Sequence, residues 1–271
     1  MKDKAVVIDL DGTLLKDNKE VGDGDFQTLQ KLGRKNIVRI IATGRSLYSF
    51  NEVIPSDFPI DYLIFAAGAG IMNFQTKEIL KSYVLSSEDV KFISEKLINL
   101  RIDFQIREKI PHSHKYSFKR FFDKNPDFDR LNSMYKKYIR EFSFSKTLND
   151  ATRFITISPS DEIVNIIFDE FLQYSVIRAS SPIDNKSVWM EIYPPDVNKG
   201  SSLKFLCNVL NINLSETVGL GNDYNDIDFL NITNRSYVVE NSPKILKETY
   251  LNTVSNNENP LTEIVKNNFN L

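Results

Sequence analysis

Five short apolar runs, each closing on a polar or glycine-bearing cluster, constrain this chain more than any other feature. Val6-Val7-Ile8 ends at Asp9, and comparable runs occupy 37–42, 62–67, 217–220 and 236–239. Runs this short and this uniformly apolar suit strands buried on both faces, as in a parallel sheet covered by helices. Helix-like stretches lie between them. Phe26, Leu29 and Leu32 recur every third residue, with Gly33 as the expected C-terminal stop. Leu203, Leu206, Cys207 and Leu210 follow the i, i+3, i+4, i+7 spacing of a helix with one buried face. This alternation predicts an α/β fold, a doubly wound, Rossmann-like parallel sheet with right-handed crossovers.

The alternation is clear over 1–81 and resumes over 187–271, which together give the expected core. Residues 82–186 read differently. Helical spacing at 88–100 is followed by a segment at 103–107, then by an aromatic, charged stretch at 116–144 that suits packing more than base stacking. Strand-like segments at 152–158 and 176–180 flank a helix at 163–174. The expectation is an α+β cap inserted between two halves of one sheet, with Trp189, Tyr193 and the adjacent prolines at the hinge where it rejoins the core. A length of 271 residues suits two domains, or one with a large insert.

Composition narrows the class of protein. With 34 basic and 36 acidic side chains the net charge is -2, which argues against a surface built for nucleic acid or an anionic membrane. A hydrophobic share of 41% and a charged share of 26% leave enough apolar residues for a core. Cys207 stands alone, so neither a disulfide framework nor a multi-cysteine metal site is expected. No apolar run approaches the roughly 20 residues of a membrane span, and Met1-Lys2-Asp3-Lys4 leads straight into a strand rather than a signal peptide. A soluble cytoplasmic protein, monomeric or a small homo-oligomer, with neither nucleic-acid nor membrane partners, is the expectation.

The chemistry concentrates where strands should stop. Asp9 and Asp11 flank Leu10, and residues i and i+2 of an extended chain face the same way. Ligands of open parallel sheets bind at the carboxyl ends of the strands, and two carboxylates there need a cation or a shared proton. Mg²⁺ is the natural hard cation for oxygen ligands. The bland alternative makes Asp11-Gly12 a hairpin turn. Three more segments weigh against it: Thr43-Gly44-Arg45 after the second run, Asn198-Lys199-Gly200 before the amphipathic helix, and Gly221-Asn222-Asp223-Tyr224-Asn225-Asp226 after a later run.

Taken in order, Asp-Leu-Asp-Gly-Thr-Leu at 9–14, Ala-Thr-Gly-Arg at 42–45, Val-Asn-Lys-Gly at 197–200 and Gly-Asn-Asp-Tyr-Asn-Asp at 221–226 resemble the four motifs of haloacid dehalogenase superfamily phosphatases. More narrowly, the chain resembles a Cof-type member with a large cap between the second and third motifs. The approach at 190–200 and the segments Asn241-Ser242-Pro243 and Ser255-Asn256-Asn257-Glu258 fit that subfamily too. The resemblance implies that Asp9 is the nucleophile, forming an aspartyl-phosphate. It implies that Asp11 is the general acid and then the base, and that its backbone carbonyl binds Mg²⁺. Thr43 would hydrogen-bond the phosphoryl group, with Gly44 and Arg45 beside it, and Lys199 would neutralise charge on it and on Asp9. Arg45 could equally be a salt bridge that supports its loop. Asp9, Asp11, Asn222, Asp223, Asn225 and Asp226 form the implied metal set.

Two positions depart from the family pattern. Asn222 stands where an aspartate is usual, so either its amide oxygen or the neighbouring Asp223 supplies that ligand. Ala66-Ala67-Gly68-Ala69 replaces the usual Asn-Gly-Ala. In the cap, Arg107, His112 and His114 are the candidates for reaching the substrate's leaving group or a second phosphate, a solvated loop being the bland alternative; a His-x-His metal site is a third reading. The implied activity is a Mg²⁺-dependent phosphatase of small phosphorylated metabolites, sugar phosphates above all. A phosphosugar mutase, a phosphatase of a glycosylated phosphate ester and a catalytically weak phosphosugar-binding protein are the rivals.

Overall fold

The computed structural model describes residues 4–144, 148–158, 160–180 and 187–269. They form two compact units, Met1–Arg45, Phe50–Lys81 and Asn198–Leu271 in one, and Ser46–Ser49 with Ser82–Val197 in the other. The chain opens with β1 (Ala5–Asp9), β2 (Val38–Ala42), β3 (Tyr62–Phe65), β4 (Gly70–Asn73) and β5 (Ile79–Ser82). It continues through β6 (Phe104–Glu108), β7 (Tyr116–Lys119), β8 (Ile139–Glu141), β9 (Ala151–Ser158), β10 (Ser175–Ser180) and β11 (Val188–Tyr193). It ends with β12 (Thr217–Gly221), β13 (Arg235–Val238) and β14 (Leu251–Asn252).

The first unit's sheet has the order β14-β13-β12-β1-β2-β3-β4-β5. From β14 to β3 every pair is parallel, and β3 pairs antiparallel with β4. β1 is apolar throughout because both of its faces are covered. Ala5 and Val7 pack with Leu203, Leu206 and Cys207 of helix Lys199–Leu210, while Val6 and Ile8 alternate to the opposite face and are equally buried. Since β1 pairs in parallel on both sides, Asp11-Gly12 is no hairpin turn. Helix Asp23–Arg34 runs through Gly33, the expected stop. The Arg39 guanidinium lies where a Cβ of residue 33 would stand, and the left-handed turn comes at Asn36 with φ 56°.

The second unit's sheet has the order β10-β11-β9-β6-β7-β8. The return to the core falls later than residue 187. Val188–Tyr193 is a strand between β9 and β10, with Trp189 registered against Ile157 and Ala179. Trp189 and Tyr193 are therefore sheet residues and not a hinge, and the Trp189 indole donates to Asp127 Oδ2 at 2.9 Å. One sheet face packs Phe104, Phe154, Met190 and Ile192 with Ile93, Leu97, Ile167 and Phe171 from helices Ser87–Asn99 and Ile163–Glu170 and the residue that follows the latter. The other face carries Ile155, Ile157 and Trp189 under Phe128 and Leu131 of helix Pro126–Met134, so the aromatic stretch is packing material. Among the described residues no helix is long and apolar enough to cross a membrane.

Candidate active site

At the carboxyl end of β1, Asp9 is 4% exposed. Its Oδ1 accepts from Lys199 Nζ at 2.7 Å, and its buried Oδ2 has no hydrogen-bond partner. Lys199 opens its helix behind an Asn198 N-cap that accepts from Ser201 N at 2.7 Å. The cap fixes where the first turn starts, and so where the lysine side chain enters the core. Lys199 Nζ also donates to Asp226 Oδ1 at 2.6 Å, and neither Lys199 nor Asp226 is exposed. Burial alone would lower the lysine's pKa, but Asp226 and Asp9 outweigh it and hold the ammonium charged. Burial pushes the Asp9 carboxyl up to about 7; the charge of Asp226 adds to this and Lys199 offsets part of it.

The later loop is organised by Asp226. Its Oδ2 accepts the backbone N–H groups of Asn222 and Asp223 at 2.8 and 3.1 Å. Both oxygens of Asp226 are thus engaged by protein, which makes it an orienting group. Asp223 caps the next turn by accepting from Tyr224 N at 2.8 Å. The Asn222 side chain sits beside Gly12, its Nδ2 2.6 Å from where a Cβ would stand. Gly12 has φ 73°, a left-handed conformation that disfavours any residue with a Cβ. Asn225 lies against Gly44.

Asp11 is held by Arg45, Nε to Oδ2 and Nη2 to Oδ1, each at 2.7 Å. This bidentate pair matches the supporting-salt-bridge reading of Arg45. Thr43 is buried, and its Oγ1 accepts from Arg45 N at 3.1 Å. The departing loop 66–69 ties these segments together. Ala66 N donates to Arg45 O at 2.8 Å and Ala67 N to Thr43 O at 3.0 Å, while Gly68 O accepts from Ser202 Oγ at 2.7 Å on the lysine's helix. Both alanines hold left-handed backbone, φ 49° and 50°.

Among the described residues no three His, Cys, Asp or Glu side chains gather as a cation site. The unspent Asp9 Oδ2 and the amide of Asn222 nevertheless fit a hard cation whose remaining ligands are a backbone carbonyl and water. The same count leaves His112 and His114 without a metal cluster. His112 is exposed, and His114 stacks on Tyr48 at 4.5 Å between centroids, edge-on to Tyr138. Arg107 is buried in β6 and is not itself a loop residue. Sequence reasoning missed Ser202 and did not give Asn198 its capping role. It named Asn241 only as part of the subfamily's C-terminal pattern and gave it no contact, whereas its Nδ2 donates to Gly12 O at 2.9 Å. Asn198 was the most accessible of these, since an asparagine preceding an amphipathic run is a capping signal.

The sequence profile of haloacid dehalogenase-like hydrolases matches residues 6–264. The chain belongs to that family. A Streptococcus pyogenes serotype M6 protein with a provisional phosphatase name is 24% identical over 98% of both chains. The 5-amino-6-(5-phospho-D-ribitylamino)uracil phosphatase of Bacillus subtilis is 22% identical, over 91% of this chain and 87% of its own. Among solved structures, a sugar phosphatase of subclass IIB of the family superposes with a TM-score of 0.78 over 97% of this chain and 98% of its own, at 17% identity. That last likeness speaks for the shared fold. In this haloacid dehalogenase-like hydrolase the segments 9–14, 42–45 and 221–226 lie at β-strand ends and 197–200 at a helix start.

Proposed function

We propose that this hydrolase is a Mg²⁺-dependent phosphatase of small phosphorylated metabolites, sugar phosphates foremost, working through an aspartyl-phosphate. The observation that carries the reading is the Lys199 ammonium between Asp9 and Asp226, which leaves Asp9 Oδ2 buried and unspent. In the first half-reaction Asp9 attacks phosphorus, the ester P–O bond breaks, and Asp11 gives its proton to the departing alkoxide. In the second, Asp11 takes a proton from water, whose oxygen attacks the aspartyl-phosphate and releases inorganic phosphate. Arg45 must loosen its two-point hold on Asp11 for that carboxyl to carry a proton. Lys199 and Thr43 meet the charge that builds on the phosphoryl oxygens. Asp9, the Asp11 carbonyl and Asn222 would hold Mg²⁺, which when bound draws charge from the phosphoryl group. Asp223 and Asp226 fit that shell less well, since their oxygens serve the loop.

The test is phosphate release from a panel of phosphorylated metabolites, with Mg²⁺ and with chelator. Release that needs Mg²⁺ and vanishes in Asp9→Asn supports the reading; hydrolysis that survives Asp9→Asn sinks it. Asn222 favours a second reading, a phosphosugar-binding protein with little turnover. Ligand-induced shifts in melting temperature without phosphate release would select it. Isomerisation of the ester without free phosphate would point to a mutase.

A further inference from the structure

Arg107 lies in β6 near the middle of the second unit's sheet and is 5% exposed. Its register partners are Arg153 on β9 and Tyr116 on β7. The Tyr116 ring covers the guanidinium at 4.0 Å. Among the described residues its only hydrogen bond runs from Nη2 to Gln105 Oε1, 2.5 Å, and its buried Nε has no partner. The carboxylate placed to neutralise it, Glu191, accepts instead from Arg153 Nη1 at 3.1 Å and from the Tyr193 hydroxyl. Arg107 itself makes no ion pair among the described residues. Burial pushes the Arg107 guanidinium down to about 10, and Arg153 adds to this. A cation kept buried without a counter-ion is costly unless a ligand supplies one.

We propose that Arg107, oriented by Gln105 and flanked by Arg153, forms an oxyanion-binding site within the second unit, for a phosphate or carboxylate group of a small molecule. A guanidinium has five N–H donors in a planar fork, and one is used here. Two parallel N–H donors of such a fork match two oxygens of one anion. The anion is either a second charged group of the metabolite that is hydrolysed or a separate small ion. Only the first of these assignments rests on the phosphatase reading; the site itself does not.

Isothermal titration of the full-length protein with inorganic phosphate, in MgCl₂, counts sites per chain. Arg107→Met is expected to hold one site fewer than the wild type. An equal count in the two proteins overturns the proposal. Should Arg107→Met fail to fold, Arg107→Lys, which keeps charge but not the fork, should weaken one site at least tenfold, and unchanged binding in it overturns the proposal. The source is read from kcat/KM for fructose 1,6-bisphosphate relative to fructose 6-phosphate. A ratio above ten that collapses in Arg107→Met assigns the anion to the substrate. A ratio near one beside a site lost in Arg107→Met assigns it to a separate ion. If no ester is hydrolysed the phosphatase reading falls, while the titration still decides the site.

Discussion

Lys199 has no exposed surface, and both of its partners are carboxylates reached across long stretches of chain. Lys199→Met leaves Asp9 and Asp226 facing each other without compensation. It should cost about 3 to 5 kcal/mol of stability, read from the urea midpoint, as well as activity. Asn222→Asp adds a charged oxygen where an amide now sits, and should tighten Mg²⁺ binding about tenfold or more; titration with Mg²⁺ checks this. In the metal-free protein Asp9 keeps its proton up to about pH 7. Mg²⁺ binding below that pH must therefore displace a proton. Apparent affinity should rise from pH 6 to pH 8, and the binding heat at pH 6 should change with buffer ionisation enthalpy. At this scale Asp9, Thr43 and Lys199 were legible because each belongs to a motif with its own local chemistry. Gln105 and Arg153 were not, since a polar residue inside a strand announces neither its face nor its partner.

Loop 66–69 and helix Asp23–Arg34 show what single elements hold in reserve. Left-handed backbone costs an L-residue about 1 to 2 kcal/mol, and Ala66 and Ala67 both adopt it in a loop that braces the start of the lysine's helix. Ala67→Gly should relieve this, less the entropy glycine adds to the unfolded chain, for a net gain of about 0.5 to 1 kcal/mol in the urea midpoint. Asp25, in the first turn of its helix, accepts from Thr262 N and Oγ1 at 2.8 and 2.9 Å. Burial pushes it up to about 6, with the Thr262 hydrogen bonds offsetting part of the rise. An unfolded aspartate releases its proton near 4. Between those values the folded chain binds more protons than the unfolded one, so stability falls as pH rises from about 4 to about 6 and levels off above. Asp25→Asn should remove about 2 to 3 kcal/mol of that decline, visible when urea midpoints at pH 4 and pH 7 are compared with the wild type. The β1, β2, β3, β12 and β13 strands were readable from apolar runs. The β4 and β5 strands were not, each carrying only two adjacent large apolar residues, and Gly33 misled because a helix can run through a glycine before it ends.

Each unit has its own apolar core, one around β1 and helix Lys199–Leu210, the other around β9 and helices Ser87–Asn99 and Ile163–Glu170. A fragment spanning Ser82–Val197 should therefore fold alone, and a cooperative thermal transition by circular dichroism would establish it; a featureless melt would show that its core is insufficient. An insert was the expectation from where the strand-and-helix alternation broke off and resumed. The exact point of return was not, because β11 is as apolar as a core strand and nothing in its sequence says which sheet it joins. The strand order has a further consequence for synthesis. β1 lies between β2 and β12, and about 200 residues separate β1 from β12 along the chain. At ribosomal rates of about 5 to 20 residues per second, one edge of β1 stays open for roughly 10 to 40 s. A nascent chain in that interval carries Asp9 without Lys199, and an apolar strand edge open to other chains. Helper proteins that shield exposed strands would thus matter most for this molecule before its last fifth has emerged.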